Sequence, residues 1–231
     1  MSNLRGIDVS EHNATLNWSH IKNTGEVDFA IIRGGYARTN DIQVFNNISG
    51  CLANSIPIGF YWFSYALTEQ DAIAEANSLI SVLRTAGITS VPHGLWYDWE
   101  YDSDDYATRQ GVTITNAIRE RFARLFCDTC ITAGFSCGLY SNPDYLTKGF
   151  QPLINDGYPL WLAEWSVSQP SVSCSIWQYG LTTISGLQMQ FDGNVIGDGY
   201  TPPTPPTPPT PPTPTIRKKL PFYMYFRRKF Y

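Results

Sequence analysis

The chain has 231 residues, 43% of them hydrophobic and 14% aromatic, with 16 basic and 20 acidic side chains for a net charge of −4. That length buries a sizeable core, and a single barrel of about 200 to 250 residues is an ordinary size. Residues 216–231 hold six Lys and Arg and no acid, which leaves 10 basic against 20 acidic side chains in residues 1–215; so acidic a body excludes a nucleic-acid binder.

From the N-terminus, short apolar or aromatic runs bounded by turn formers alternate with helical patterns. LRGIDVS (4–10), FAIIRGGY (29–36), IGFYWFSY (58–65), GLWYDWEY (94–101) and CGLYSN (137–142) read as parallel core strands. A helix is expected from Thr68, where TEQD matches a capping box and Ile73, Ala76, Ile80 and Leu83 follow at helical spacing up to Gly87. A second runs from about Thr113 to Ala133, with Ile114, Ile118, Phe122, Leu125 and Phe126 as its stripe and Gly134 as its stop. Then PLWLAEW (159–165), SIWQYG (175–180) and MQFDGNV (189–195) are strand-like, with gaps too short for full crossover helices, and are expected to meander. Five βα units and three strands give eight strands, enough to close a TIM-like (β/α)5(β)3 barrel of the α/β class over residues 1–200.

TPPTPPTPPTPPTPT (201–215) has nine prolines and reads as a polyproline II linker of about 45 Å. IRKKLPFYMYFRRKFY (216–231) interleaves six cations with six aromatics: either a docking tail for an anionic envelope surface, or a disordered end or truncated module. No apolar run is long enough to cross a membrane, and MSNLRGIDVS lacks the apolar segment of a signal peptide. Five cysteines (Cys51, Cys127, Cys130, Cys137, Cys174) form no regular framework, which points to a reduced or redox-indifferent protein.

The chemistry concentrates in GLWYDWEYDS (94–103). Strand alternation puts Trp96, Asp98 and Glu100 on one face and Leu95, Tyr97 and Trp99 on the other. The two acids then lie roughly 6.5 Å apart along the backbone, close enough for each to raise the other's proton affinity. A solvated edge strand would also carry such a pair, but the aromatic flanks favour a strand covered on both sides. Asp8 on the first strand and Asp192 on the last would be neighbours in a closed barrel, so four carboxylates could gather at the mouth formed by the strands' carboxyl ends. Glycoside hydrolysis asks for such paired carboxylates.

Taken in order, GIDVSEHN, NWSHIK with FAIIRGGY, IPIGFYWFSYALTEQDAIAEA, GLWYDWEYDS, GLYSNPDYL, PLWLAEW, IWQYG and the Asp192 segment resemble the glycoside hydrolase family 25 muramidases, the Chalaropsis-type lysozymes, over residues 4–198. The resemblance implies a (β/α)5(β)3 barrel that cleaves the β-1,4 bond between N-acetylmuramic acid and N-acetylglucosamine in peptidoglycan, with no metal or other cofactor. It matches Glu100 to the general acid, Asp98 to its paired carboxylate, and Asp8 and Asp192 to flanking acids. Glu100, crowded by Asp98, would keep its proton; Asp98 would stay ionised, either stabilising the oxocarbenium-like centre or orienting the substrate's N-acetyl group. Tyr36, Tyr61, Tyr65, Tyr140, Trp165 and Gln178 are the expected sugar contacts, and His12 a hydrogen-bonding residue near Asp8. FDGNV departs from the family's Asp-Leu-Asn, and its glycine is expected to loosen the hold on Asp192. A phage endolysin held in the host cytoplasm until holin-type release fits, as does an extracellular autolysin whose leader was removed. The alternatives are a barrel that binds glycan without cutting it and a metal-dependent hydrolase using the same acids.

Overall fold

The computed structural model describes residues 3–197. The expected linker (201–215) and basic tail (216–231) lie outside these residues.

Eight strands close a barrel: β1 (Leu4–Val9), β2 (Phe29–Tyr36), β4 (Ile58–Phe63), β5 (Leu95–Asp98), β6 (Cys137–Ser141), β7 (Leu160–Ala163), β8 (Ile176–Thr183) and β9 (Gln190–Ile196). The two-residue β3 (Thr39–Asn40) folds back on the end of β2. The strands run in the order β1, β9, β8, β7, β6, β5, β4, β2, and β1 pairs with β2 to complete the ring. Outside lie α1 (Trp18–Thr24), α2 (Val44–Ala53), α3 (Glu69–Thr85), α4 (Tyr101–Arg109), α5 (Asn116–Thr132), α6 (Pro143–Tyr145) and α7 (Gln151–Asn155).

The local signals act as their chemistry dictates. Thr68 caps α3, its hydroxyl accepting from Asp71 N at 3.1 Å while the Asp71 carboxylate accepts from Thr68 N at 3.1 Å, a reciprocal cap worth about 1 kcal/mol. Gly87 then takes φ +71, a conformation that costs a residue without Cβ nothing, and the helix ends. Thr115 caps α5 with its hydroxyl alone, accepting from Ile118 N at 3.3 Å. The buried face of α5 includes Cys127 and Cys130, packed towards Cys137 of β6; all five cysteines are free, and burial pushes the Cys127 and Cys137 thiols up, away from reactivity.

Two expectations need correction. The last three strands do not simply meander: β7 is parallel to β6, and β8 is parallel to β7, so only β9 is antiparallel to its neighbours. Residues 164–175, without helix, supply the dozen or so that a parallel crossover needs. The strand expected over 94–101 stops at Asp98, where the ladder to Tyr140 and Phe63 ends, and α4 begins at Tyr101. The run of acids after Tyr101 masked that helix, because its apolar stripe is nearly absent.

Period-two alternation sorts every strand. Ile7, Val9, Leu95, Tyr97, Leu139, Leu160 and Leu162 face the helices, in one core with Leu79, Leu83, Phe122 and Phe126. The inward residues form a second apolar cluster of Phe29, Ile31, Trp96, Trp161, Ile176 and Ile196, with Tyr61 and Tyr140 against it. Gly6 makes room for this plug, since a Cβ there would sit 2.3 Å from the Phe29 ring. The barrel is therefore filled at its base, and polar side chains are left only the layer at the strands' carboxyl ends.

Candidate active site

Each acid arrives at the mouth by strand geometry. Asp8 follows Gly6 by two residues on the inward face of β1. Asp192 sits directly opposite it in the antiparallel β1–β9 register, so both side chains share that face. Asp98 is the last residue of β5, two beyond the plug residue Trp96. Glu100 lies past the ladder, but its backbone is still extended (φ −129, ψ −174), so alternation carries it inward too; it is the N-cap of α4, with its N–H donating to Ser103 Oγ at 3.1 Å. All four carboxylates line one hollow of about 290 Å³, floored by Trp161 and Tyr61 and walled by Phe63, Tyr140 and Gln178.

A hydrogen-bonded frame fixes the acid side of this hollow. Asp8 Oδ2 accepts from Asn194 Nδ2 at 2.8 Å and from Gln178 Nε2 at 3.0 Å. Asn194 is oriented in turn by Trp161 Nε1, which donates to its Oδ1 at 2.7 Å. Gln178 Oε1 accepts from Tyr140 OH at 3.0 Å and Trp165 Nε1 at 3.1 Å. Such second partners set which way each amide points. At Gly193, between Asp192 and Asn194, the Tyr179 ring occupies the space a side chain would need: a Cβ would lie 2.5 Å from it.

Crowding four acids in one partly buried mouth raises their proton affinity. Asp98, only 3% exposed, is pushed well above the usual carboxylate range by burial, then by the charges of Glu100 and Asp8, with its hydrogen bonding to Glu100 adding to the rise. Burial raises Glu100 as well, but the same hydrogen bonding pulls it back. Both carboxyls are thus raised, Asp98 the further because it lies deeper, which favours keeping a proton on the pair. Asp192 is raised by burial. Asp8 is pushed up to about 7 by burial and then by Asp192, against the pull of its two amide donors. Arg33 offsets this crowding only in part: its charge pulls Asp98 down, but its Nε is bound to Asp41 at 2.7 Å and its Nη2 pairs with Glu11 at 2.9 Å.

The raised Asp8 has a measurable consequence. Its folded value of about 7 exceeds its ordinary 3.8, so its contribution to stability is complete below the ordinary value and is lost as pH rises through about 7. Asp8→Asn keeps an acceptor for Asn194 and Gln178 but cannot ionise. Its Tm is expected to fall less than the parent's between mildly acidic and mildly alkaline pH; parallel Tm curves in differential scanning calorimetry would contradict this.

Of the expected sugar contacts, Tyr61, Tyr140 and Gln178 line the main hollow. Tyr36 and Tyr65 line an adjoining hollow of about 240 Å³ that shares Arg33, His12 and Phe63 with the first. Trp165 lies outside both linings, 46% exposed at the rim, and reaches the site through Gln178. His12 lines the hollow with Asp8, but the bond it makes there is from its backbone N to Ser10 Oγ. Burial pushes the Tyr61 and Tyr140 phenols up, so both remain neutral donors. The sequence reading missed Arg33, Trp161 and Asn194. All three were legible as inward positions, Arg33 two after Ile31, Trp161 in step with Ala163, and Asn194 two after Asp192.

A filled barrel with a carboxylate pair at its carboxyl-end mouth is the arrangement that acid-dependent glycosidases use. The sequence narrows the class: the family described as glycosyl hydrolases family 25 matches residues 7–186, and the chain belongs to that family. The modular autolysin LytC from Streptococcus pneumoniae, solved in complex with a synthetic peptidoglycan ligand, is similar at 25% identity and TM-score 0.72 over 84% of this chain. That alignment spans 46% of LytC, so this chain covers about half of that relative. The catalytic domain of endolysin ply40 from bacteriophage P40 of Listeria monocytogenes shares the fold at 22% identity and TM-score 0.70, covering 85% of this chain and 94% of that one. The lysozyme from Streptomyces coelicolor does so at 19% and 0.68, covering 85% and 93%. No curated protein matches the sequence.

Proposed function

We propose that the chain is a muramidase hydrolysing the β-1,4 bond between N-acetylmuramic acid and N-acetylglucosamine in peptidoglycan. The observation that carries this is the Asp98–Glu100 pair at the mouth of a family 25 barrel, both carboxyls raised by burial. The muramic acid ring enters the main hollow over Trp161 and Tyr61, with the glycosidic oxygen towards the half-buried Glu100. The shared proton passes from Asp98 to Glu100 and on to that oxygen as the C1–O bond breaks. Asp98 thereby becomes an anion at the moment positive charge develops at C1, where it stabilises the oxocarbenium-like centre or holds the N-acetyl group for internal attack. Asp8 and Asp192, across the mouth, raise the proton affinity of Asp98 and Glu100. Water then bonds to C1 and returns its proton to the carboxylate pair.

Tyr140 and Gln178 orient sugar hydroxyls in the main hollow, Tyr36 and Tyr65 extend the cleft, and Trp165 offers a stacking face at the rim. No helix among the described residues is long and apolar enough to cross a membrane. The place of action is the bacterial wall; docking of residues 216–231 on an anionic envelope surface would add retention there. Mass spectrometry of digested peptidoglycan tests the reading. Products ending in reducing muramic acid are expected, whereas reducing-end glucosamine, or no cleavage, would overturn it.

A further inference from the structure

We propose that Asp104 is a positioning residue that holds Glu100 in its working geometry; the inference rests on the reading of Glu100 as the proton donor. Glu100 stands at a strand-to-helix corner, outside the β5 ladder that fixes Asp98. Something other than sheet hydrogen bonds must hold it.

Asp104 meets that need from both sides of the corner. Trp99, the residue before Glu100, donates Nε1–H to Asp104 Oδ1 at 3.1 Å. On the helix side, Asp104 N donates to Glu100 O at 3.3 Å, beside the Ser103 N bond to the same oxygen at 3.0 Å. The Asp104 carboxylate is then tied to the surrounding shell. Arg119 of α5 donates Nη2–H to Oδ1 at 2.8 Å and to Oδ2 at 3.0 Å, and Tyr145 of α6 donates its hydroxyl to Oδ2 at 2.6 Å. These four hydrogen bonds fill the carboxylate's acceptor sites, so it has no spare lone pair with which to rotate towards water. Arg119 is itself buried and anchored, its Nη1 donating to Lys148 O at 2.6 Å and Asn116 Oδ1 at 3.1 Å. One side chain thus ties Trp99, the residue before the proton donor, and the first turn of α4 after it to α5 and α6. The Glu100 carboxylate itself is left free of that network, as a group that must give up and regain a proton requires.

The test separates positioning from general stability by the leaving group. Asp104→Asn is compared with the parent on natural peptidoglycan fragments, whose leaving sugar needs a proton, and on a nitrophenyl glycoside of the same donor sugar, whose leaving group does not. Loss of alignment is expected to lower kcat on the natural fragment by about 10-fold to 10²-fold, with KM changed by less than about 2-fold and the nitrophenyl rate nearly unchanged. In a Glu100→Gln background the same substitution should cause no further loss. Equal losses on both substrates, or a full further loss in the Glu100→Gln background, would mean that Asp104 serves folding alone and would overturn the proposal. Should Asp104→Asn fail to fold, Tyr145→Phe removes one bond and keeps the buried ring. It is expected to show the same selective loss at smaller size, and a uniform loss or none would overturn the proposal. If Glu100→Gln itself stays fully active, the reading of the acid has failed; if Glu100→Gln is inactive while Asp104→Asn and Tyr145→Phe match the parent, only the positioning role has.

Discussion

Glu100→Gln is expected to lower kcat on peptidoglycan fragments by about 10²-fold to 10⁴-fold, the range over which a positioned general acid acts. The amide keeps the size and the backbone role of Glu100: the Glu100 N bond to Ser103 Oγ and the Glu100 O bonds from Ser103 and Asp104 do not involve its side chain. Folding, followed by Tm, should therefore be near that of the parent. What disappears is a transferable proton facing the leaving oxygen. A substrate whose leaving group needs no proton should lose far less, and an equal loss on both kinds of substrate would remove Glu100 from the proton transfer. KM should change little, because the interaction is made only as the bond breaks.

Asp98→Asn is expected to be nearly as damaging, by about 10²-fold to 10³-fold in kcat, for a different reason. The amide would have no proton to give and no anion to offer, so electrostatic support at C1 is lost. The substitution also changes the pH profile in a direction that can be worked out. In the parent, Asp98 crowds Glu100 and keeps one proton on the pair well above the ordinary carboxylate range. An amide in its place removes the negative neighbour and offers N–H to the Glu100 carboxylate, which lowers the proton affinity of Glu100. The alkaline limb of the kcat/KM profile should therefore move to lower pH. A limb left in place would mean that the pair does not share its proton.

Much of the frame was legible in the residues. The capping box at Thr68, the stripes of α3 and α5 and the period-two alternation in each core strand are local signals, and local physics enforced them. The mouth was legible too, because Asp8, Asp98 and Asp192 are acids at inward positions of otherwise apolar strands. The helix α4 was not, since Tyr101–Arg109 carries polar side chains on most of its surface and is held by the Asp104 network rather than by an apolar stripe. Nor was the parallel pairing of β7 with β8, which depends on a helix-free crossover that periodicity cannot reveal. The depth of the two acids was beyond the sequence: Asp98 and Glu100 are alike in type and share a face, yet Asp98 is buried on the ladder while Glu100 stands half-buried past its end. Arg33 shows the same limit, because the sequence cannot reveal that its charge, which pulls Asp98 down, is already shared with Asp41 and Glu11.

The protonation of Asp98 itself tests the central claim most directly. Its side-chain carboxyl carbon, labelled with ¹³C and assigned by the signal lost in Asp98→Asn, can be followed by NMR from about pH 4 to about pH 9, a window that begins at the ordinary carboxylate value. A shift typical of a protonated carboxyl that persists through neutral pH and changes only above it is the expected result. An Asp98 carbon that titrates near the ordinary aspartate value would contradict it.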